Sequence, residues 1–479
     1  MILVAVAMIA IIAMAALSID VVTLYLARME AQRSADAGAL AAARVIALSG
    51  ITGDPNNVTG LWTTICGGAG SVATQAATAA ASQNLIGAVA PLVVVNYHGG
   101  GTTSPDCSGL PAAFGVNPIV TVLVTRTTLP TFFSRIWSTA GNTVNAFADA
   151  EAFNSSNSGN VGNAPDGTII PVQPRCVKPW LIPNLDPLNP NPNGDGTYCG
   201  QQDPQNGRTT PCNSLVSLGN GAIVNPGISL NGLNANGVIG ETLWLSPDCH
   251  HDDPTCMLRQ NPPEPNYYPK NGNGIYYELP PSLQYLPGQA PSSVVAVPFC
   301  SSGGSLYEQA IAGCDQQTVY QCGVQNTNYV DLSENPGIYT NDTMDGVQCL
   351  INQDDPNPTD QPSGEDTINT TSYPFQVLAG ASNPLIGYGV TAGTPVTSSA
   401  SVVSLPIYDS AGNAIQNNGG LNTITIVGFL QVFINYVDQN GNVYVTVLNV
   451  TGCSNGQGQP VGTAVTGSSP VPVRLITPP

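Results

Sequence analysis

Charge is what this sequence has least of. Asp, Glu, Lys and Arg make up 9% of the residues, against roughly a quarter in an average soluble protein. Lysine is nearly missing: Lys178 and Lys270 are the only two in 479 residues. With 11 Lys and Arg against 30 Asp and Glu, the net charge is −19. A nucleic-acid reader needs a basic stripe to neutralise phosphates, and no segment offers one. The same shortage argues against docking of the main body on anionic lipid headgroups. CxxC pairs and CxxCH are missing, which removes zinc ribbons, thioredoxin-like redox motifs and covalent c-type haem. GxSxG and GxxxxGK[ST] are missing too, so neither a nucleophile elbow nor a phosphate-binding loop is present. Two carboxylates suffice for a glycosidase, and sequence alone does not exclude that. A surface this poor in charge must stay in water through Asn, Gln, Ser and Thr, which is common in secreted and filament-forming chains.

What is abundant points the same way. Glycine (51) and proline (41) are frequent, and there are 12 cysteines, all beyond residue 65. An even cysteine number without metal-type spacing reads as disulfides made in an oxidising compartment. Spacing does not give the connectivity. The shortest loops would pair Cys249 with Cys256 and Cys314 with Cys322.

The N-terminus is a long apolar helix. Met1 to Leu17 carries no polar side chain, and after Ser18, Ile19 and Asp20 the apolar run resumes from Val21 to Leu26. Roughly 20 apolar residues span a bilayer core. No Gly or Pro interrupts the helix before Gly38, and Gly50 and Pro55 are the stop signals. About 48 helical residues at ~1.5 Å each reach roughly 70 Å, far more than a membrane needs. The first half is expected to be lipid-soluble and the second an alanine-rich amphipathic rod. No basic flank precedes the run, which suggests a mature chain beginning near Met1 after removal of a basic leader. Asp20 is the one carboxylate in the apolar half, and such a group is expensive unless solvated or paired. It would either sit at the membrane edge or pair with a cation of a neighbouring subunit, such as Arg28 or a free N-terminal amine. Within one straight helix Arg28 lies about 12 Å further along the axis.

These residues carry a family resemblance. Ala16-Leu-Ser-Ile-Asp20-Val-Val-Thr-Leu-Tyr25-Leu-Ala-Arg28, followed by Gln32-Arg-Ser-Ala-Asp36-Ala-Gly-Ala-Leu-Ala-Ala-Ala43, resembles the N-terminal signature of the TadE/TadG-like proteins of Tad (Flp) pilus assembly. The departures are Val22, where glycine is usual, and Gly38, where alanine is usual. Weaker similarity runs on through Val120–Thr125, the Leu129-Pro-Thr-Phe-Phe-Ser-Arg-Ile136 helix, Thr143–Ala148, Cys176-Val-Lys-Pro-Trp180-Leu-Ile-Pro183 and Ile426–Phe433. Many members carry a von Willebrand A domain with a DxSxS metal site. Asp331-Leu-Ser333-Glu-Asn335 lacks the last serine, so no such domain is inferred. The resemblance implies Asp20, Tyr25, Arg28, Gln32 and Asp36 as assembly-helix residues. It also implies copies of the chain and other pilus-assembly components as partners, with an inner-membrane stage before assembly into a surface filament.

The expected fold class is α+β. Residues 1–50 form the assembly helix, and 51–153 a pilin-like helix-plus-sheet module. This module comprises a helix over Thr74–Val89, strands over Leu92–Tyr97 and Ile119–Thr125, a short helix over Thr131–Trp137 and a strand over Thr143–Phe153. Residues 154–167 are an Asn/Ser/Gly-rich linker, and 168–479 a β-rich, disulfide-bonded extracellular region of one or two subdomains. In that region Gly274–Leu279 and Ser293–Pro298 read as strands and Tyr307–Ala312 as a short helix. The clearest local signal is a hairpin, Thr423–Val437 and Asn442–Val450 around Asp438-Gln-Asn-Gly441.

Two segments have ligand-type residues. Cys249-His-His-Asp-Asp-Pro-Thr-Cys256 gathers metal-ligand types, yet adjacent side chains diverge in an extended chain, and a disulfide-closed surface loop accounts for it. Asn189-Pro-Asn-Pro-Asn-Gly-Asp195 imitates a calcium loop with asparagine in place of aspartate and no distal glutamate, so a Pro/Asn turn accounts for it. No metal site, cofactor or catalytic residue is therefore assigned. Five Asn-x-Ser/Thr sequons, at Asn57, Asn154, Asn341, Asn369 and Asn449, are what an Asn-, Ser- and Thr-rich chain produces by chance. The reading is a non-enzymatic, pilin-like structural subunit. The alternative is a membrane-anchored binding protein (an adhesin) or a glycan-processing ectodomain.

Overall fold

The computed structural model describes residues 2–49, 51–53, 57, 60–111, 113–116, 118–129, 141–152, 168–169, 172–174, 176–188, 213–218, 221, 223–225, 227–230, 237–247, 282–288, 304–314, 320–321, 328–330, 336–357, 359–371, 375–396, 399–410, 415–418, 421–453, 459–460, 465–467 and 473–476. The chain forms two compact units, 1–153 with 473–479, and 154–472. The architecture is α+β, a long apolar helix and then sheets, as expected. The helix read over Thr131–Trp137, the 154–167 linker, the strands at Gly274–Leu279 and Ser293–Pro298, the Asn189–Asp195 turn and the Cys249–Cys256 loop lie outside the described residues.

The first unit is built on helix α1, Ile2–Ala47, about 70 Å of continuous helix. Its residues favour helix throughout, and Arg44 in its last turn complements the helix dipole. It differs along its length. Before residue 27 its described apolar side chains, apart from the half-buried Leu24, lie in the open; Val4, Ile11, Leu17 and Tyr25 are 58–65% exposed. From Ala27 onward one face is buried: Ala27, Ala31, Ala35, Ala39, Ala42, Ala43 and Ile46, at the i, i+4 spacing of a helix stripe. Helix α2 (Leu61–Cys66) and α3 (Val72–Gln83) follow. α3 presents its own small-residue stripe, Ala73, Ala77 and Ala81, all fully buried.

Strands β1 (Leu92–Gly99), β2 (Thr102–Ser104), β3 (Ile119–Leu129) and β4 (Asn142–Ala152) form an antiparallel sheet ordered β2-β1-β3-β4. A fifth strand, Val473–Ile476, completes it by pairing with β4. This is a correction: the last strand returns to the first unit instead of ending the β-rich region, because the free edge of β4 supplies the unpaired backbone groups it needs. β3 alternates buried and half-buried residues over most of its length, as a sheet with one covered face should. α3 stops at Gln83, six residues earlier than the sequence suggests. Leu85–Val89 forms a turn closed by an Ile86–Val89 bridge, with left-handed backbone at Gly87 and Ala88.

The second unit holds a closed six-stranded barrel. Its strands are β5 (Trp180–Pro183), β6 (Thr242–Pro247), β7 (Ser282–Pro287), β8 (Val402–Tyr408), β9 (Ile426–Val437) and β10 (Val443–Gly452), ordered β8-β9-β10-β6-β7-β5. β6–β7 and β5–β8 are parallel and the other four pairs antiparallel. The core gathers Trp180, Leu243, Leu245, Tyr285, Leu405 and Val445. Helices α4 (Leu306–Ala312) and α5 (Pro336–Ile351) join it through Ile311, Val347 and Ile351. The expected hairpin is β9–β10, and Thr425 separates it from a shorter strand, Leu421–Ile424. Asp438 fixes its turn by accepting from the backbone N–H groups of Asn440 (2.8 Å) and Asn442 (2.9 Å), while Gly441 takes φ 72°. α5 was not expected. Pro336 is a suitable first helical residue, and the buried Thr343, Val347, Leu350 and Ile351 keep helix spacing.

Two disulfides are described, one per unit: Cys66–Cys107 and Cys176–Cys314. Cys349 and Cys453 are disulfide-bonded as well, and no described cysteine is free. Cys314 therefore pairs with Cys176 and not with Cys322. Barrel closure places the start of β5 beside the end of α4, 138 residues apart in sequence.

Candidate functional site

The second half of α1 lies against α3 and the sheet through small residues. Gly38 sits at the junction: a Cβ there would stand 3.1 Å from the Ala77 carbonyl oxygen, 3.1 Å from Val122 Cγ1 and 3.2 Å from Ala81 Cβ. The departure from alanine at this position thus has a cause, the close approach of three elements. Ser34 Oγ donates to the Ala81 carbonyl at 2.8 Å, a polar stitch inside the seam. Glu30 Oε2 accepts from the Gly87 N–H at 2.7 Å and holds the turn that follows α3. Spacing of the small residues could have revealed this seam; Glu30 and Ser34 leave no local sign of their partners.

The five assembly-helix residues divide into two groups. Gln32 Nε2 donates to Asp36 Oδ1 (2.8 Å) and to the Phe147 carbonyl (3.2 Å), so this pair latches α1 to β4. Tyr25 (65% exposed) and Arg28 point outward. Asp20 is buried, 5% exposed, although its neighbours Ile19 and Val21 are 48% and 56% exposed. It has an interaction partner within the chain. The folded chain by itself therefore buries Asp20 and does not leave it without a partner. One described helix is long and apolar enough to cross a membrane, over Ile11–Ala47 with mean hydropathy 1.8.

A row of polar side chains crosses the sheet and has the residue types of a hydrolase. Thr103 Oγ1 lies 3.0 Å from His98 Nδ1, His98 Nε2 hydrogen-bonds Thr121 Oγ1, and Thr121 Oγ1 donates to Asp149. The donor directions oppose catalysis. Thr121 spends its proton on Asp149 and so accepts from His98 Nε2, which cannot then act as its base. The row ties β1, β3 and β4 together.

In the second unit the Cys176–Trp180 element now has a physical account. Cys176 bridges to Cys314, Lys178 Nζ donates to the carbonyls of Ile311 (2.6 Å) and Gly313 (2.7 Å), and Trp180 enters the barrel core. A cation at the C-terminal end of α4 satisfies carbonyls left open by the helix. Burial lowers the Lys178 ammonium to about 7. At the far end of β5, Glu241 is fully buried, and burial together with the Asp186 charge raises its carboxyl to about 10.

Residues 1–45 match the family described as putative Flp pilus-assembly TadE/G-like. No curated protein and no solved structure matches the chain. The matched segment is α1, up to its last two residues. Together with the apolar helix it fits a pilus-related, membrane-anchored protein.

Proposed function

We propose, taking the TadE/G-like N-terminal segment as premise, that this chain is a pilin-like structural subunit that assembles through α1. The observation that carries the reading is the division of α1 at Ala27. Behind that point the helix is the spine of a helix-plus-sheet head; ahead of it, the described apolar side chains are exposed except for the half-buried Leu24, and among the described residues Asp20 alone is buried. A helix apolar on all sides requires lipid or other helices around it. Its first 26 residues span about 39 Å, enough for the ~30 Å hydrocarbon core. The inner membrane covers this segment before assembly, and the same segment of neighbouring copies covers it in a filament at the cell surface. The chain-wide shortage of charge suits heads that pack side by side, and the oxidised cysteines suit life outside the cytoplasm.

The test is to shear surface material from cells that make the protein and look for ordered fibres containing it. Fibres are expected. In Tyr25→Ala/Leu26→Ala, which trims the exposed face and leaves the head intact, fibre yield should fall roughly tenfold, the effect of ~1.4 kcal/mol, with membrane content unchanged. Protein found only as membrane monomers, or fibres at normal yield from the variant, would overturn the proposal.

A further inference from the structure

Asp186 follows β5 and Glu241 precedes β6, and the barrel brings both to one end. β7 pairs antiparallel with β5 and parallel with β6, so the C-terminal end of β5 and the N-terminal end of β6 meet at the start of β7. Between them, described residues from 213 to 239 are joined by main-chain hydrogen bonds. Asn213 accepts from the Asp186 N–H at 2.8 Å, Leu215 accepts from Val224, Asn225 accepts from Val238, and Ile239 accepts from Ser229 at 2.5 Å. The Glu241 backbone is fixed on both sides, accepting from the Val447 N–H at 2.8 Å and donating to Val238 at 3.3 Å.

The side chain is not satisfied. Glu241 is 0% exposed, and neither of its oxygens has a hydrogen-bond partner among the described residues. The Ser229 hydroxyl, also 0% exposed, has none either, and the Ser229 main-chain carbonyl lies against Gly240, next to Glu241. Asp186, 1% exposed, is close enough for its charge to act on Glu241. The buried cation Lys178 is committed elsewhere, to the carbonyls of Ile311 and Gly313. An ionised carboxylate this deep is strongly unfavourable without a counter-charge, and a second one beside it makes matters worse. Asp186 Oδ1 accepts from the Leu188 N–H at 3.1 Å; Glu241 is the carboxylate that a proton or a cation must neutralise.

We propose that Asp186 and Glu241 hold a calcium ion at this end of the barrel, with main-chain and hydroxyl oxygens completing its shell. Every candidate ligand is an oxygen, the donor type of hard cations. No three His, Cys, Asp or Glu cluster among the described residues. A shell of two carboxylates must therefore be filled by neutral oxygens, which calcium accepts in variable number and geometry. Magnesium keeps several of its waters and needs a near-ideal octahedron, which suits a fully buried carboxylate poorly. The site is independent of the filament reading, and its test uses the purified full chain in detergent, so the two can fail separately.

The experiment is equilibrium dialysis of EGTA-stripped protein against radioactive calcium, alongside thermal unfolding with 0 to 10 mM calcium or magnesium. One calcium per chain is expected, with a melting temperature that climbs as calcium passes its dissociation constant, since a ligand bound only by the folded state stabilises it logarithmically. Glu241→Gln and Asp186→Asn should each abolish uptake and the calcium-dependent shift. Glu241→Gln should also melt higher than stripped wild type, because it removes a buried charge that the apo site cannot neutralise except by a proton. No uptake by wild type at 10 mM calcium, an undiminished shift in Glu241→Gln, or an equal response to magnesium would overturn the proposal. Should Glu241→Gln fail to fold, the wild-type stoichiometry and the calcium-over-magnesium preference decide it.

Discussion

The two units solve the same problem, holding a charge-poor chain together, in different ways. The first is organised around one helix and mostly short-range steps: α1 is continuous for 46 residues, β1, β3 and β4 follow one another in an antiparallel sheet, and of its described strands only Val473–Ile476 returns from far along the chain. Its decisive contacts are between atoms with almost no side chain, such as Gly38 against Ala77 and Ala81. The second is organised around closure. β5 pairs with β8 across more than half of the unit, and its disulfide joins residues 138 apart. Both units bury charge, Asp20, Asp149 and Glu151 in the first and Lys178, Asp186 and Glu241 in the second, but the seam of the first is lined chiefly by alanine. Both units carry a disulfide, but the first adds close fit between backbones, and the second a longer cross-link and deeply buried charge.

The largest expected effect comes from removing those cross-links. On the chain-entropy account, a cross-link over 138 residues stabilises by about 5 kcal/mol, and one over 41 residues by about 4 kcal/mol. Cys176→Ser/Cys314→Ser should thus lower the urea midpoint of the barrel unit more than Cys66→Ser/Cys107→Ser lowers that of the first. A larger loss from the Cys66 pair would break the comparison, since closure would then matter more in the helix-and-sheet unit.

Next is the seam. Gly38→Leu forces a side chain where even a Cβ meets atoms at 3.1 Å. Overpacking of this kind costs about 3 kcal/mol, read as a fall in the first unit's denaturation midpoint. Gly38→Ala, the family's usual residue, should stay within about 1 kcal/mol, because the helix preference for alanine offsets a small displacement of Val122. Equal effects from the two variants would mean that the seam is loose.

The difference between the units also explains what the sequence made legible. The apolar helix, the Leu92 and Ile119 strands and the Asp438–Gly441 hairpin are local: periodicity and turn chemistry suffice to find them. The end of α3 was missed because the turn at Gly87 is fixed partly by Glu30, 57 residues away. The partner of Cys314 and the return of Val473–Ile476 to β4 depend on long-range closure that no local pattern encodes. Glu241 was invisible for the same reason: one glutamate before a strand looks solvated until the barrel closes over it.

The smallest expected effect is a slope. In the folded protein Lys178 titrates near 7 and Glu241 near 10, both displaced chiefly by burial. Unfolded, they return to about 10.4 and 4.3. Between about pH 4.5 and 10 the folded Glu241 keeps a proton that the unfolded chain has lost, so its contribution declines as pH rises. Between about pH 7 and 10.4 the unfolded chain holds a proton that folded Lys178 has released, so stability rises with pH. Each proton difference is worth at most about 1.4 kcal/mol per pH unit. In calcium-free buffer stability should fall as pH rises from about 4.5 to 7, through Glu241 alone, and change little from about 7 to 10, where the two contributions nearly cancel. Lys178→Met removes the rising part and should leave a fall that continues to about pH 10. Glu241→Gln removes the falling part and should leave a rise above pH 7. Denaturant midpoints of the barrel unit at half-unit pH steps measure both. Calcium sharpens the contrast, because the bound ion takes the place of the proton on Glu241 and should flatten the wild-type slope between pH 5 and 7. A slope unchanged in both variants would show that buried charge does not set the barrel's pH dependence, and would remove that difference between the two units.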